Sequence, residues 1–231
     1  MKIYRYETIS STNAQAKKMI LEGAREGVLL AEHQSAGRGR LGRSFFSENG
    51  IFMSVILTPD RFSFEPGFLT SAAAVAVCRA IEEQGFDVGI KWVNDIYFEG
   101  KKICGILSEA VSMGSETLAY VVGIGINVGN TEFPDDIKDI AASLPLDENT
   151  KEQLFFGVFN NIEFALSETK WNLLSYLKKK SVVLGKEIRF FGGKNGEGIA
   201  LDLDENGGLI VQTNENEKII LTGGEISVRT K

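Results

Sequence analysis

The sequence predicts an α+β protein carrying a small all-β appendage, and three observations support that class. Short apolar runs bounded by turn residues recur between residues 88 and 128, as in an antiparallel meander of a mixed or antiparallel sheet. Two longer stretches, about 66–83 and 150–180, carry apolar residues at helical spacing, as helices packed on that sheet would. Beyond residue 180 the helical pattern stops, and roughly fifty residues of short, glycine-separated strands suit a small barrel. The expected division is a larger domain over 1–180 and a smaller one over 181–231.

Bulk composition narrows the possibilities. A chain of 231 residues can bury a substantial core, and 43% hydrophobic with 24% charged residues is ordinary for a soluble globular protein. Cys78 and Cys104 lie far apart, match no metal or redox spacing, and suit a reducing cytoplasm better than a disulfide framework. His33 is the single histidine, which excludes Ser/His/Asp triads and metal sites built on several histidines. The opening residues, Met1 to Glu7, have no apolar leader region, and no run is long enough to span a bilayer, so a cytoplasmic protein is expected.

In chain order, Ser10-Ser11-Thr12-Asn13 precedes Ala14, Ala16, Met19, Ile20 and Ala24, which predicts a short helix ending near Gly23. Its hydroxyls either cap the helix or present donors to a ligand. Val28 to Glu32 reads as a strand leading into Gln34-Ser35-Ala36-Gly37-Arg38-Gly39-Arg40-Leu41-Gly42-Arg43. Three arginines and three glycines within Gly37–Arg43, in a chain of net charge -6, make a local anion grip: guanidinium forks match carboxylate and phosphate oxygens, and glycine permits close approach. Gly37-x-Gly39-x-x-Gly42 also satisfies the dinucleotide fingerprint, but a strand-like run follows it where a helix is required. A nucleic-acid patch is disfavoured by the acidic balance, with pI ≈ 5.1, and by the lack of a second dense basic cluster.

Gly50 to Thr58 is apolar at nearly every position, as in a central strand covered on both faces, and Pro59-Asp60 ends it. Pro66 to Glu83 reads as a mostly buried helix stopped at Gly85. Val88 to Trp92, Ile96 to Phe98 and Lys102 to Glu109 are short strands joined by the turns Val93-Asn94-Asp95 and Glu99-Gly100-Lys101. Thr117 to Val128 is another strand, in which Gly123 and Gly125 mark either close approach of a ligand or a bulge or tight packing. Thr150-Lys151-Glu152-Gln153 fits a capping box opening a helix through Leu166, and a second helix runs through Trp171, Leu174 and Leu177 to the solvated Lys178–Lys180. Strands follow at 187–191, 198–203, 209–212 and 218–221.

Taken together, Ser11-Thr12-Asn13, Gly37-Arg38-Gly39-Arg40, Lys91-Trp92-Val93-Asn94-Asp95, Lys102-Ile103-Cys104-Gly105-Ile106-Leu107, Gly123-Ile124-Gly125-Ile126-Asn127 and Gly223–Arg229 resemble, in order, the signature blocks of the biotin protein ligases. The resemblance implies a class II aminoacyl-tRNA synthetase-like catalytic domain followed by an SH3-like barrel. It implies that biotin and ATP form biotinyl-5'-AMP, with Mg2+ on the ATP phosphates, and that biotin then passes to one lysine of a carboxylase's biotin carrier domain. Implied biotin contacts are Ser11, Thr12, Asn13, Gln34, Gly37, Arg38, Gly39, Arg40, Lys102, Gly105, Leu107, Gly123 and Gly125; Arg38, Arg40, Phe45, Asn94, Lys102 and Asn127 would hold ATP. Lys102, Arg40 and Asp95 are the implied catalytic set. Lys102 and the arginines would offset charge as a carboxylate attacks a phosphate. Asp95 would orient or deprotonate the acceptor lysine, take a share of the metal, or simply stabilise its turn.

Two residues depart from the family pattern. Val93 stands where many relatives have proline, and Phe45 where some have an adenine-stacking tryptophan. Arg43 has no assigned role. Ser11 lies so near Met1 that no DNA-binding domain is expected, hence no DNA partner, while a homodimer remains open. The rival activities are a lipoate ligase or octanoyl transferase of the same fold, and a catalytically silent sensor of biotin or nucleotide.

Overall fold

The computed structural model describes residues 1–42, 45, 49–129, 132–192, 195–223 and 227–230. Arg43 and residues 224–226 of the 223–229 block therefore lie outside the described residues. Twelve strands and four α-helices are described: β1 (Ile3–Ile9), α1 (Thr12–Leu21), β2 (Gly27–Gln34), β3 (Gly50–Leu57), α2 (Leu69–Glu82), β4 (Gly89–Lys91), β5 (Asp95–Phe98), β6 (Lys101–Met113), β7 (Glu116–Asn127), α3 (Glu148–Ser167), α4 (Lys170–Lys180), β8 (Glu187–Phe191), β9 (Gly196–Leu203), β10 (Leu209–Thr213), β11 (Lys218–Leu221) and β12 (Ser227–Thr230).

β1 to β7 form one mixed sheet in the order β1-β2-β3-β7-β6-β5-β4. Only β1 and β2 run parallel, joined through α1, and the remaining pairs are antiparallel. β4 to β7 make the expected meander. β1 has no counterpart in the sequence reading: it is an edge strand without a fully buried residue, so its pattern carries little hydrophobic signal.

Alternation along the strands divides the sheet's contacts between two faces. Val28, Met53, Val55, Leu57, Val122, Ile124 and Ile126 join α2, α3 and α4 in the main core. Leu29, Ile56, Ala119 and Val121 belong to a smaller core with Ala16 and Ile20 of α1. Every residue of β3 is buried, as expected of a strand covered on both sides.

The first helix begins at the predicted place, with Ser11 Oγ accepting from the Ala14 amide at 3.5 Å. α3 begins earlier than the capping box predicted. Asp147 is its N-cap, and its Oδ1 accepts from the amide of Thr150 at 2.8 Å and from its hydroxyl at 2.6 Å. A carboxylate three residues earlier takes the cap position, so Thr150 donates to the cap through its amide and hydroxyl instead of serving as the cap itself.

β8 to β12 form a second, antiparallel sheet in the order β11-β10-β9-β8-β12. Its inner residues, among them Ile188, Phe190, Ala200 and Val211, are continuous with the main core. The Trp92 indole donates to the Gly207 carbonyl at 2.9 Å, pinning this sheet to the turn between β4 and β5. The Trp92–Val93 peptide bond is cis. Among the described residues, no helix is long and apolar enough to cross a membrane.

Candidate active site

The site lies on the sheet face that carries α1, and cross-strand register assembles its floor. Asp95 is paired with Gly105, Gly105 with Gly125 and Gly125 with Phe52; one row along, Leu107, Gly123 and Ser54 are in line. Period-two alternation puts all of these on one face, so three glycines on two adjacent strands open a depression in a sheet otherwise covered by side chains.

Different side chains fill that depression above each glycine. A methyl group at Gly125 would lie 2.6 Å from the Phe45 ring, and one at Gly105 would lie 3.1 Å from Lys102 Nζ. A methyl at Gly123 would meet Asn13 Oδ1 at 2.0 Å. The sequence left open whether Gly123 marks ligand approach or tight packing. At Gly123 the close neighbour is Asn13.

At one end of the floor, Lys102 Nζ lies 2.6 Å from Asp95 Oδ1, and both side chains are largely shielded from solvent. The Asn94 amide donates to the Ile106 carbonyl at 3.0 Å, and the Ile106 N–H donates to the Asn94 carbonyl at 3.0 Å. Asn94 is thus fixed to β6, and its Oδ1 accepts from Arg40 Nη1 at 2.8 Å. Arg40 opens a single 3-10 turn, Arg40–Gly42, at the tip of the glycine–arginine loop. The base of that loop is closed by the Phe45 N–H donating to the Gly37 carbonyl at 3.0 Å. Arg38 is exposed, and Gly39 half-buried, on the same loop.

The opposite rim is the N-terminus of α1. Gln34 Oε1 accepts from the Thr12 amide at 2.7 Å and from the Thr12 hydroxyl at 3.2 Å. Ser11, Thr12 and Asn13 are all buried. Asn13 donates through Nδ2 to the Leu107 carbonyl at 3.3 Å and to Glu109 Oε2 at 2.8 Å, and its Oδ1 accepts from Ser54 Oγ at 2.6 Å. Both amide hydrogens of Asn13 are therefore committed within the protein.

At the far end of β7, Asn127 donates to the Ala142 carbonyl at 3.0 Å while its Oδ1 is buried without a hydrogen-bond partner among the described residues. The segment around residues 140–144 straps both ends of the floor together. The Lys102 amide donates to the Ile140 carbonyl at 2.8 Å, and the Leu144 amide to the Asn127 carbonyl at 3.0 Å. Burial pushes the Cys104 thiol well above its usual range, which leaves it unsuited to act as a nucleophile.

Sequence reasoning missed Ser54, Glu109, Lys17 and the strap. Ser54 had a visible signal as the one hydroxyl inside an otherwise apolar strand. Glu109 had a weaker one, since alternation from Gly105 through Leu107 places it on the site face.

Residues 6–127 match the Biotin/lipoate A/B protein ligase family, and residues 183–229 match the Biotin protein ligase C terminal domain. The chain belongs to the biotin/lipoate protein ligase family. It is 37% identical over 231 residues to the bifunctional ligase/repressor BirA of Bacillus subtilis, covering 93% of this chain and 70% of that one. It is 29% identical over 239 residues to the biotin--[acetyl-CoA-carboxylase] ligase of Mycobacterium tuberculosis, covering 95% and 86%. Its structure is similar to that of a biotin protein ligase from Aquifex aeolicus in complex with biotin and ATP, with a TM-score of 0.84 and 28% identity, covering 100% and 99% of the two chains. The five segments singled out between Ser11 and Asn127, scattered over more than a hundred residues, lie here around one glycine floor.

Proposed function

We propose that this protein activates biotin with ATP to biotinyl-5'-AMP and transfers the biotinyl group to a lysine of a carboxylase's biotin carrier domain. The observation that carries this reading is the Lys102–Asp95 pair at the edge of the glycine floor, beneath an arginine loop latched to Asn94.

In the first step two anions must meet, a carboxylate and the α-phosphate. Lys102 supplies a cation where charge builds on the phosphoryl oxygens, and Arg40 and Arg38 close from the loop above. Gly37 and Gly39 let that loop approach, while Gly105, Leu107 and Gly125 line the floor for the bicyclic ring. Ser11, Thr12 and Gln34 face the neutral ureido end, whose donors and acceptors each need a partner once buried. Asn13 has one lone pair of Oδ1 to offer, and its remaining polar capacity supports the rim. Asn127 Oδ1 is a buried acceptor without a partner among the described residues, which suits the exocyclic amine of adenine. The Phe45 ring rests on the floor, so stacking on adenine requires it to swing off Gly125.

Among the described residues no group of three or more acidic, cysteine or histidine side chains could hold a metal ion. Mg2+ would therefore be held mainly by the ATP phosphates, with Asp95 as the available carboxylate, and would supply further charge neutralisation there. In the second step the acceptor lysine must lose a proton, against an ordinary pKa of about 10.4. As Lys102 turns to the acyl phosphate it releases the Asp95 carboxylate, which is then free to orient or deprotonate the incoming amine.

We read residues 1–180 as a class II aminoacyl-tRNA synthetase-like catalytic domain and 181–231 as an SH3-like barrel. The register shift at Ile210/Val211 supports the second assignment, because a bulge bends a sheet toward closure. Two free cysteines support a cytoplasmic setting. The deciding experiment is ATP–pyrophosphate exchange with biotin or lipoate, followed by transfer to a carrier domain. Exchange with biotin alone is expected. Exchange with lipoate alone would reverse the assignment, and exchange with neither would remove the enzyme reading.

A further inference from the structure

We propose that Glu109 is a positioning residue for biotin: without touching the substrate, it sets the biotin-binding rim of α1 through Asn13. This inference rests on the biotin reading above. Glu109 lies four residues beyond Gly105 on the same strand face, which puts it just off the floor and under α1. Its carboxylate spans two residues one helical turn apart, accepting from Asn13 Nδ2 at 2.8 Å and from Lys17 Nζ at 2.5 Å. Residues i and i+4 share a helix face, so a single carboxylate fixes both the rotation and the height of the first turn.

Asn13 is held from two further directions. Ser54 Oγ, with 0% exposure at the centre of β3, donates to its Oδ1, and the Leu107 carbonyl accepts from its Nδ2. Gly123 provides the space for this arrangement, since any larger residue would place Cβ 2.0 Å from Asn13 Oδ1. Thr12 is the adjacent residue, and its amide and hydroxyl fix Gln34. Charge-assisted and neutral hydrogen bonds thus tie Asn13 to Glu109, Lys17 and Ser54, and the backbone carries that constraint to the neighbouring Thr12 and its partner Gln34 on the rim that would receive the ureido group. The carboxylate matters because it accepts from the amide, which keeps Asn13 Oδ1 turned to Ser54. Losing it frees the amide to rotate and the first turn to shift.

The test is initial-rate biotin-dependent ATP–pyrophosphate exchange on purified full-length protein. Glu109→Ala is expected to raise the KM for biotin about tenfold, with kcat and the KM for ATP within about twofold of wild type. Glu109→Gln keeps an acceptor oxygen for Asn13 and should recover most of that loss, which a merely structural effect of truncation on the whole fold would not distinguish by substrate. Ser54→Ala removes the opposite strut and should also raise the biotin KM alone, so it carries the test if Glu109→Ala fails to fold. An unchanged biotin KM in Ser54→Ala or Glu109→Ala would overturn the proposal, as would a parallel loss in kcat and ATP affinity. A wild-type protein without biotin-dependent exchange would overturn the biotin reading as well. Activity in the wild type with an unaltered variant overturns only the role of Glu109.

Discussion

At the scale of single residues, the three floor glycines are not equivalent, because what a methyl group would meet differs at each. At Gly125 it would strike the Phe45 ring, the end of a side chain that can move aside. At Gly123 it would strike Asn13, held from Ser54, Leu107 and Glu109. Gly125→Ala should therefore fold normally and lose biotin affinity, whereas Gly123→Ala should also lose about 1–3 kcal/mol of stability through overpacking. Urea unfolding alongside the biotin KM separates the two, and equal stability losses would contradict this contrast. Lys102→Ala should lower exchange activity by about 10²–10³-fold with the fold intact, comparable to removing one donor from an oxyanion site. Activity within tenfold of wild type would exclude Lys102 from the chemistry. These residues were legible as a set from their blocks. Ser54 and Glu109 were not, because each becomes meaningful only through a cross-strand or helix–strand neighbour distant in sequence.

Among the elements, the glycine–arginine loop is held by Phe45 to Gly37 at its base and by Arg40 to Asn94 further along. If it acts as a lid retaining the acyl-adenylate, Arg40→Gly should release the intermediate and label lysines of a bystander protein, read by avidin blotting. Label confined to the carrier would refute the lid. On the opposite side of the sheet, α4 is tied to α2 through Lys180, which pairs with Glu82 and lies 2.9 Å from Asp87 Oδ1. Hydrogen bonds to Glu82, then to Asp87, raise the Lys180 pKa above its ordinary 10.5. A raised pKa means that the paired lysine stabilises the fold fully below the unfolded-state value, and that the contribution fades as pH rises through the folded one. Burial opposes ionisation of Glu82, yet hydrogen bonds from Lys180 and Tyr176 outweigh it and lower its pKa below 4.5, so its share fades on the acid side. Lys180→Met should therefore lose stability at neutral pH and show a flatter decline above about pH 10.5 than wild type in thermal melts. An unchanged alkaline limb would show that the decline comes from other groups. The helices themselves were readable from periodicity, while their partners were not. Periodicity reports that a face is apolar and is silent about which element covers it.

For the whole molecule, the second sheet meets the turn that leads into the site. Trp92 donates to Gly207 from the residue pair that precedes Asn94 and Asp95, and Lys178 pairs with Asp202 at 2.8 Å nearby. Trp92→Phe would leave the Gly207 carbonyl without its donor, at a cost of about 1–3 kcal/mol. Because the same turn carries Asn94 and leads directly into Asp95, the variant should also lose exchange activity, and a purely thermal effect with full activity would uncouple the second sheet from the site.

By itself, the sequence determined the local alphabet of this protein: helices from 3.6-residue periodicity, the meander from alternation and turns, and a loop rich in arginine and glycine. It also carried the family blocks, in order. Tertiary structure alone decided that Asn13 occupies the space above Gly123, that Asp95 pairs with Lys102, and that β1 closes the sheet edge by parallel pairing. Local patterns arise from interactions over a few residues, which the chain displays directly. Each of the other features depends on which distant residues share one sheet face, and that is set only when the strands choose their neighbours and register.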